Sequence, residues 1–140
     1  MRIFLVEDNP GDVVLTREAL KEIIGREFQM DVATDGALAI SMVDEMETGI
    51  VSVPDLFFID LNLPKVHGKL VLEHIRRIHT TKNIPAIVIS TSNRAEDRRI
   101  VEENKPGFYA MKPMNYNDFV LVLRKAIETL NIDNKNSLPV

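Results

Sequence analysis

Residues 56–64 read Leu56-Phe57-Phe58-Ile59-Asp60-Leu61-Asn62-Leu63-Pro64, an apolar run that stops at a single carboxylate and turns at a proline. A short apolar run bounded by turn formers reads as a strand buried on both faces, the kind found in parallel sheets. In open α/β sheets, ligands bind beyond the carboxyl ends of such strands. That position makes Asp60 a candidate for chemistry. Aspartate also suits turns, so Asp60 taken alone serves equally well as a residue that shapes the bend before Pro64.

Three further runs end in the same manner. Ile3 to Val6 leads into Glu7 and Asp8, Ala86 to Ile89 into the hydroxyls of Ser90, Thr91 and Ser92, and Phe108 to Met111 into Lys112 and Pro113. If these strands are parallel neighbours, one edge of the sheet gathers three carboxylates, a hydroxyl cluster and an amine. Helical patterns separate the strands. Asn9 is placed to cap a first helix with Pro10 at its first position, Asp12 in its acid-favouring first turn and Gly25 at its end. A second strand is expected over Phe28–Ala33 and a second helix over Ala37–Met46. The third strand and helix are expected at Asp55–Asp60 and Gly68–Ile78. Pro85 introduces the fourth strand, Asn93 is expected to cap the fourth helix, and Asp118–Leu130 reads as the fifth. Alternating βα units predict a parallel sheet with helices on both faces.

Composition narrows the function classes. The chain has 140 residues, 45% of them hydrophobic, enough for one domain and one core. A net charge of -4 and a pI of about 5.4 argue against a general nucleic-acid surface, and no direct DNA binding is expected. The absence of cysteine excludes disulfides, thiol catalysis and thiolate metal sites. No stretch approaches the roughly 18 apolar residues of a membrane span, so a cytoplasmic protein with no membrane attachment is expected. Asn131 to Val140 reads as a polar tail.

The ordered set Glu7-Asp8, Asp60, Pro64, Gly68, Ser90, Tyr109 and Lys112-Pro113 resembles the receiver domain of two-component response regulators over roughly residues 1–130. The resemblance implies a flavodoxin-like (βα)5 three-layer sandwich with a parallel five-stranded sheet of order 2-1-3-4-5. It also implies reversible phosphorylation of Asp60 by a histidine kinase, in a signalling module rather than a turnover enzyme. The length and the opening Glu7-Asp8-Asn9-Pro10-Gly11-Asp12 are most similar to stand-alone regulators, without an output domain, that partner phytochrome-type kinases.

The chemistry is consistent on its own terms. A carboxylate can attack a phosphoryl group to form an acyl phosphate, and the charge on the transferring oxygens requires a divalent cation and a fixed positive side chain. Mg²⁺ suits a site of one or two carboxylates plus a phosphate. Asp8 and Asp60 are the candidate direct ligands and Glu7 a ligand through water; the resemblance adds the backbone carbonyl of Asn62. Lys112 would neutralise a phosphoryl oxygen. Among Ser90, Thr91 and Ser92 the resemblance, which implies a switch hydroxyl five residues after the position of Pro85, favours Ser90, with Tyr109 swinging inward as Ser90 moves toward the phosphate.

Some features stand outside that pattern. His67 replaces a common acid, Phe108 a frequent glycine, and Ser90-Thr91 the usual threonine and small residue, which bears on phosphate lifetime and the register of the fifth strand. In helix five, Phe119, Val122, Leu123, Ala126 and Leu130 form a core stripe, and Val120, Leu121 and Ile127 widen it. Helix four, strand five and helix five are therefore expected to offer a surface for self-association or a downstream partner, while the charges of helix four read as a solvated face. His67, His74 and His79 do not form a metal set. Two competing readings are a degenerate receiver that only binds proteins and a haloacid-dehalogenase-type phosphatase. The latter lacks a second carboxylate at position 62 for general-acid work and has no room for a cap domain.

Overall fold

The computed structural model describes residues 1–132. Its elements alternate without exception: β1 (Arg2–Val6), α1 (Pro10–Ile24), β2 (Gln29–Ala33), α2 (Gly36–Glu47), β3 (Leu56–Asp60), α3 (Gly68–Arg77), β4 (Ala86–Ser90), α4 (Ala95–Glu102), β5 (Gly107–Met111) and α5 (Tyr116–Thr129). The strands form one parallel sheet of order β2-β1-β3-β4-β5. This is the flavodoxin-like architecture expected from the alternating pattern. Residues 133–140, most of the expected tail, lie outside the described residues.

The pleat of the strands sorts the core into two layers. Phe57 and Ile59 pack with Phe4, Val43, Val71, Leu72 and Ile100 on the side of α2, α3 and α4. Leu56 and Phe58 pack with Ile3, Leu5, Leu20 and Leu123 on the side of α1 and α5. β3 is buried on both faces because both layers need it, which is why its run is continuous rather than alternating. β5 keeps a regular register, with Tyr109 opposite Val88 and Met111 opposite Ser90.

Helix ends follow local chemistry with two corrections. Asn9 caps α1 by accepting from the N–H groups of Gly11 and Asp12, and Gly25 closes it at a φ of 67°, a conformation that glycine adopts without penalty. Asn93 does not cap α4. Arg94 holds that position without a side-chain cap bond, because the Asn93 Oδ1 accepts from the Arg98 guanidinium instead, at 2.8 Å from Nε. α5 begins at Tyr116 rather than Asp118; Asn115 caps it through the Asp118 N–H at 2.9 Å, leaving Asp118 in the first turn. The apolar stripe of α5 also shifts. Ile127 is buried in the core, Val122 and Leu130 are half-buried, and Leu121 is exposed.

Two residues of α3 set the loops around it. A Cβ on Gly68 would lie 2.5 Å from the Asp60 carbonyl oxygen, so glycine lets the helix start directly against the end of β3. At the far end, the half-buried Arg76 guanidinium donates to the carbonyls of Asn104 (2.7 Å), Thr81 (3.5 Å), Lys82 (3.2 Å), Ile84 (2.8 Å) and Pro106 (2.7 Å). It gathers the two loops that precede β4 and β5. Burial lowers its pKa to about 10, still leaving it charged at neutral pH.

Candidate functional site

The strand order brings the ends of β1, β3, β4 and β5 side by side. Leu61 N–H donates to the Ile89 carbonyl at 2.9 Å and Lys112 N–H to the Ser90 carbonyl at 2.7 Å, which extends the ladder past the strands into the chemistry-bearing residues. The residues picked out along the chain therefore meet at one edge.

Glu7, Asp8 and Asp60 each offer a carboxylate oxygen within 4.8 Å of the others, the one such grouping among the described residues. Their exposures differ: Glu7 is buried, Asp8 exposed and Asp60 half-buried. Burial, and then the charge of Asp60, push Glu7 from its ordinary 4.5 up to about 8. Burial likewise raises Asp60, opposed by a hydrogen bond from the Asn62 N–H at 2.8 Å, by a bond from Glu7 and by the positive charge of Lys112. Two carboxyls that resist ionising together form a site short of positive charge, and an all-oxygen donor set fits a hard divalent cation.

Lys112 lies near the triad. Its ammonium forms an ion pair with Asp12, while Glu7 and Asp60 feel its charge without ion-pair contact. A cavity of about 150 Å³ opens beside the pair, with Glu7, Asp12, Leu15, Phe58, Lys112 and Met114 among its walls. From the sequence alone Asp12 is a first-turn helix acid. Its place four residues after Asp8, at the start of α1, was the available sign that it might face the same site.

The hydroxyl cluster forms a network rather than a row of turn residues. The Asn62 Oδ1 accepts from the Thr91 N–H at 3.0 Å, the Thr91 hydroxyl at 3.2 Å and the Ser90 hydroxyl at 3.3 Å. Because a backbone N–H points at it, the oxygen rather than the nitrogen of this amide must face β4. Ser90 is fully buried. Ser92 Oγ lies 3.2 Å from Ser90 Oγ and donates to Asp97 Oδ2 at 2.5 Å. The Tyr109 hydroxyl donates to the Ser92 carbonyl at 2.5 Å, with Arg98 over its ring at 5.9 Å. Asp97 is thus not part of a purely solvated face of α4. The histidines stay apart: His67 caps α3 by accepting from the Lys69 N–H at 3.0 Å, and His74 contacts Asp44 at 2.7 Å.

Comparison with known proteins agrees with this arrangement. The family model "Response regulator receiver domain" matches residues 3–124. The probable methanogenesis regulatory protein FilR2 of Methanothrix harundinacea is 33% identical over 128 residues, covering 91% of this chain and 79% of that protein. The response regulator Rcp1 of Synechocystis is 32% identical over 117 residues, covering 83% and 79%. The Mn²⁺-bound form of Rcp1 superposes with a TM-score of 0.81 at 30% identity over 99% of both chains. The phosphorylated cyanobacterial phytochrome response regulator RcpA does so with a TM-score of 0.79 at 32% identity over 93% of both. No helix among the described residues is long and apolar enough to cross a membrane. A parallel sheet of this order, acids and a lysine at its carboxyl edge, and a match from one end of the sheet to the other have a single explanation: the chain belongs to the response regulator receiver domain family.

Proposed function

We propose that Asp60 accepts a phosphoryl group from a histidine kinase, in the presence of Mg²⁺, and that the resulting acyl phosphate shifts the conformation of the β4–α4 loop to signal to a partner. The observation that carries this reading is that Asp60 shares one cluster with the acidic pair Glu7 and Asp8 and lies within reach of the charge of Lys112. A carboxylate oxygen of Asp60 attacks phosphorus. The new O–P bond forms as the P–N bond of a phosphohistidine breaks, and the released imidazole takes its proton from solvent.

Each neighbour has a defined task. The Asn62 N–H fixes Asp60 Oδ1, which orients the carboxylate for in-line attack. Asp8 and Asp60 would hold the cation directly, Glu7 through water and Asn62 through its backbone carbonyl; when bound, the ion disperses charge on the phosphoryl oxygens. Lys112 supplies the second positive charge. Rcp1 has been described in a Mn²⁺-bound form, which supports a divalent ion here. A phytochrome-type kinase is the proposed donor, since RcpA is a phytochrome response regulator.

Switching follows from the hydroxyl network. A phosphoryl oxygen on Asp60 competes with the Asn62 amide for the Ser90 hydroxyl and Thr91 N–H, and movement of that loop displaces the Ser92 carbonyl that holds Tyr109. The phosphate thereby stabilises one of two arrangements. We place the partner surface on α4, β5 and α5, where Met111 and Leu121 are exposed; a second copy of the chain is a candidate occupant there. The test is incubation with acetyl phosphate and Mg²⁺ followed by intact-mass measurement. Wild type should gain one phosphoryl group and Asp60→Asn none; equal adducts on both would remove Asp60 from its role.

A further inference from the structure

We infer that Asp12 is a positioning residue: it holds Lys112 in the resting protein, and phosphorylation requires this ammonium to exchange a carboxylate for a phosphoryl oxygen. The inference rests on Asp60 as the acceptor. Asp12 lies outside the triad of Glu7, Asp8 and Asp60, so holding a cation does not account for it. Among the described residues it is the carboxylate that forms an ion pair with Lys112.

The geometry favours a stable hold. The backbone of Asp12 is held independently of Lys112, because its N–H donates to the Asn9 cap at 3.2 Å and Pro10 stiffens the same turn. The two side chains are 28% and 25% exposed for Lys112 and Asp12, so water competes only in part for either charge. Lys112 is equally constrained, since its N–H continues the β4–β5 ladder through the Ser90 carbonyl. Two anchored backbones leave only side-chain rotamer entropy to be lost when the charges meet.

The consequence is a tax on anion binding. An ammonium engaged by Asp12 is not free for a phosphoryl oxygen, and the apparent affinity falls with the fraction of competent lysine. Partly exposed ion pairs are worth up to about 1 kcal/mol, which corresponds to roughly two- to fivefold in a dissociation constant. Asp12 therefore sets how readily the site accepts phosphoryl without touching it.

The test uses beryllofluoride, a non-reactive phosphoryl mimic, at saturating Mg²⁺. Asp12→Asn should bind it roughly two- to fivefold more tightly than wild type. Glu18, which pairs with Lys21 at 3.4 Å, lies on the same helix, so Glu18→Gln removes the same charge without touching the Lys112 pair and should leave the affinity unchanged. The Lys112 ammonium resonance supplies a readout that a purely structural role would not move. It should differ between wild type and Asp12→Asn at rest and coincide once beryllofluoride is bound. Unchanged or weaker binding in Asp12→Asn, an equal gain in Glu18→Gln, or identical resting resonances would each overturn the inference while wild type still takes the adduct. A wild type that takes no adduct overturns the acceptor reading, and this one with it.

Discussion

Removing metal from this protein should make it less stable as pH rises, and the size of the effect follows from Glu7. In the folded chain Glu7 is pushed from 4.5 up to about 8 by burial and by Asp60. Between those values the folded state keeps a proton that the unfolded state has lost, so the slope of stability against pH is negative. The contribution is full below about 4.5 and disappears as pH rises through about 8. Integrating one such group from pH 6 to pH 8 gives a loss of about 2 kcal/mol, and the raised Asp60 acts in the same direction. For a domain of this size that is a fall of roughly 6–8 °C in melting temperature.

The assay is thermal or urea unfolding in EDTA across that range, repeated in saturating Mg²⁺. With the ion present the carboxylates are held ionised, so the fall should vanish, and Mg²⁺ affinity should rise toward tenfold per pH unit below about pH 8. Glu7→Gln should remove most of the pH dependence of the metal-free protein, leaving the smaller part that Asp60 contributes. Stability in EDTA that is flat or rising between pH 6 and pH 8 would refute the assignment of uncompensated charge to this site.

Three other substitutions probe separate parts of the account. Arg76→Met leaves five carbonyls without their shared donor and should lower urea stability by about 3 kcal/mol, with a loss below about 1 kcal/mol contradicting its role as a loop clamp. Gly68→Ala places a Cβ against the Asp60 carbonyl; a destabilisation of about 1–3 kcal/mol and slower phosphoryl uptake are expected, and wild-type rates would disprove the coupling of α3 to Asp60. Ser90→Ala should still take a phosphoryl group, but Tyr109 should no longer respond. With no tryptophan and two tyrosines in the chain, tyrosine fluorescence in a Tyr116→Phe background reads Tyr109 alone, and a wild-type response there would sever Ser90 from the switch.

Most of the fold was legible because apolar runs and helix caps are local signals. The continuous burial of Leu56–Ile59 and the Asn9-Pro10 entry of α1 are written in neighbouring residues. The acidic triad was legible for the same reason, since each acid stands at or just beyond the end of an apolar strand. Asn93 and Asp118 were misread because another residue won a competition that the sequence alone does not display: Arg98 takes the Asn93 oxygen, and Asn115 reaches the Asp118 N–H first. Asp12, Asp97 and the side chain of Asn62 escaped for a different reason. Asp12 and Asn62 find their partners far along the chain and Asp97 meets Ser92 across the β4–α4 loop, and each residue type has an ordinary surface explanation until the sheet closes.

The central claim is that the phosphoryl group resides on Asp60. The most direct measurement is borohydride reduction of the phosphorylated protein, which converts an acyl phosphate of aspartate to homoserine, followed by peptide sequencing by mass spectrometry. Homoserine at position 60, lost when Lys112 is replaced by methionine or Mg²⁺ is withheld, is the predicted result. Homoserine at position 8 or 12 instead, or a phosphoryl adduct that leaves residue 60 unreduced, would contradict it.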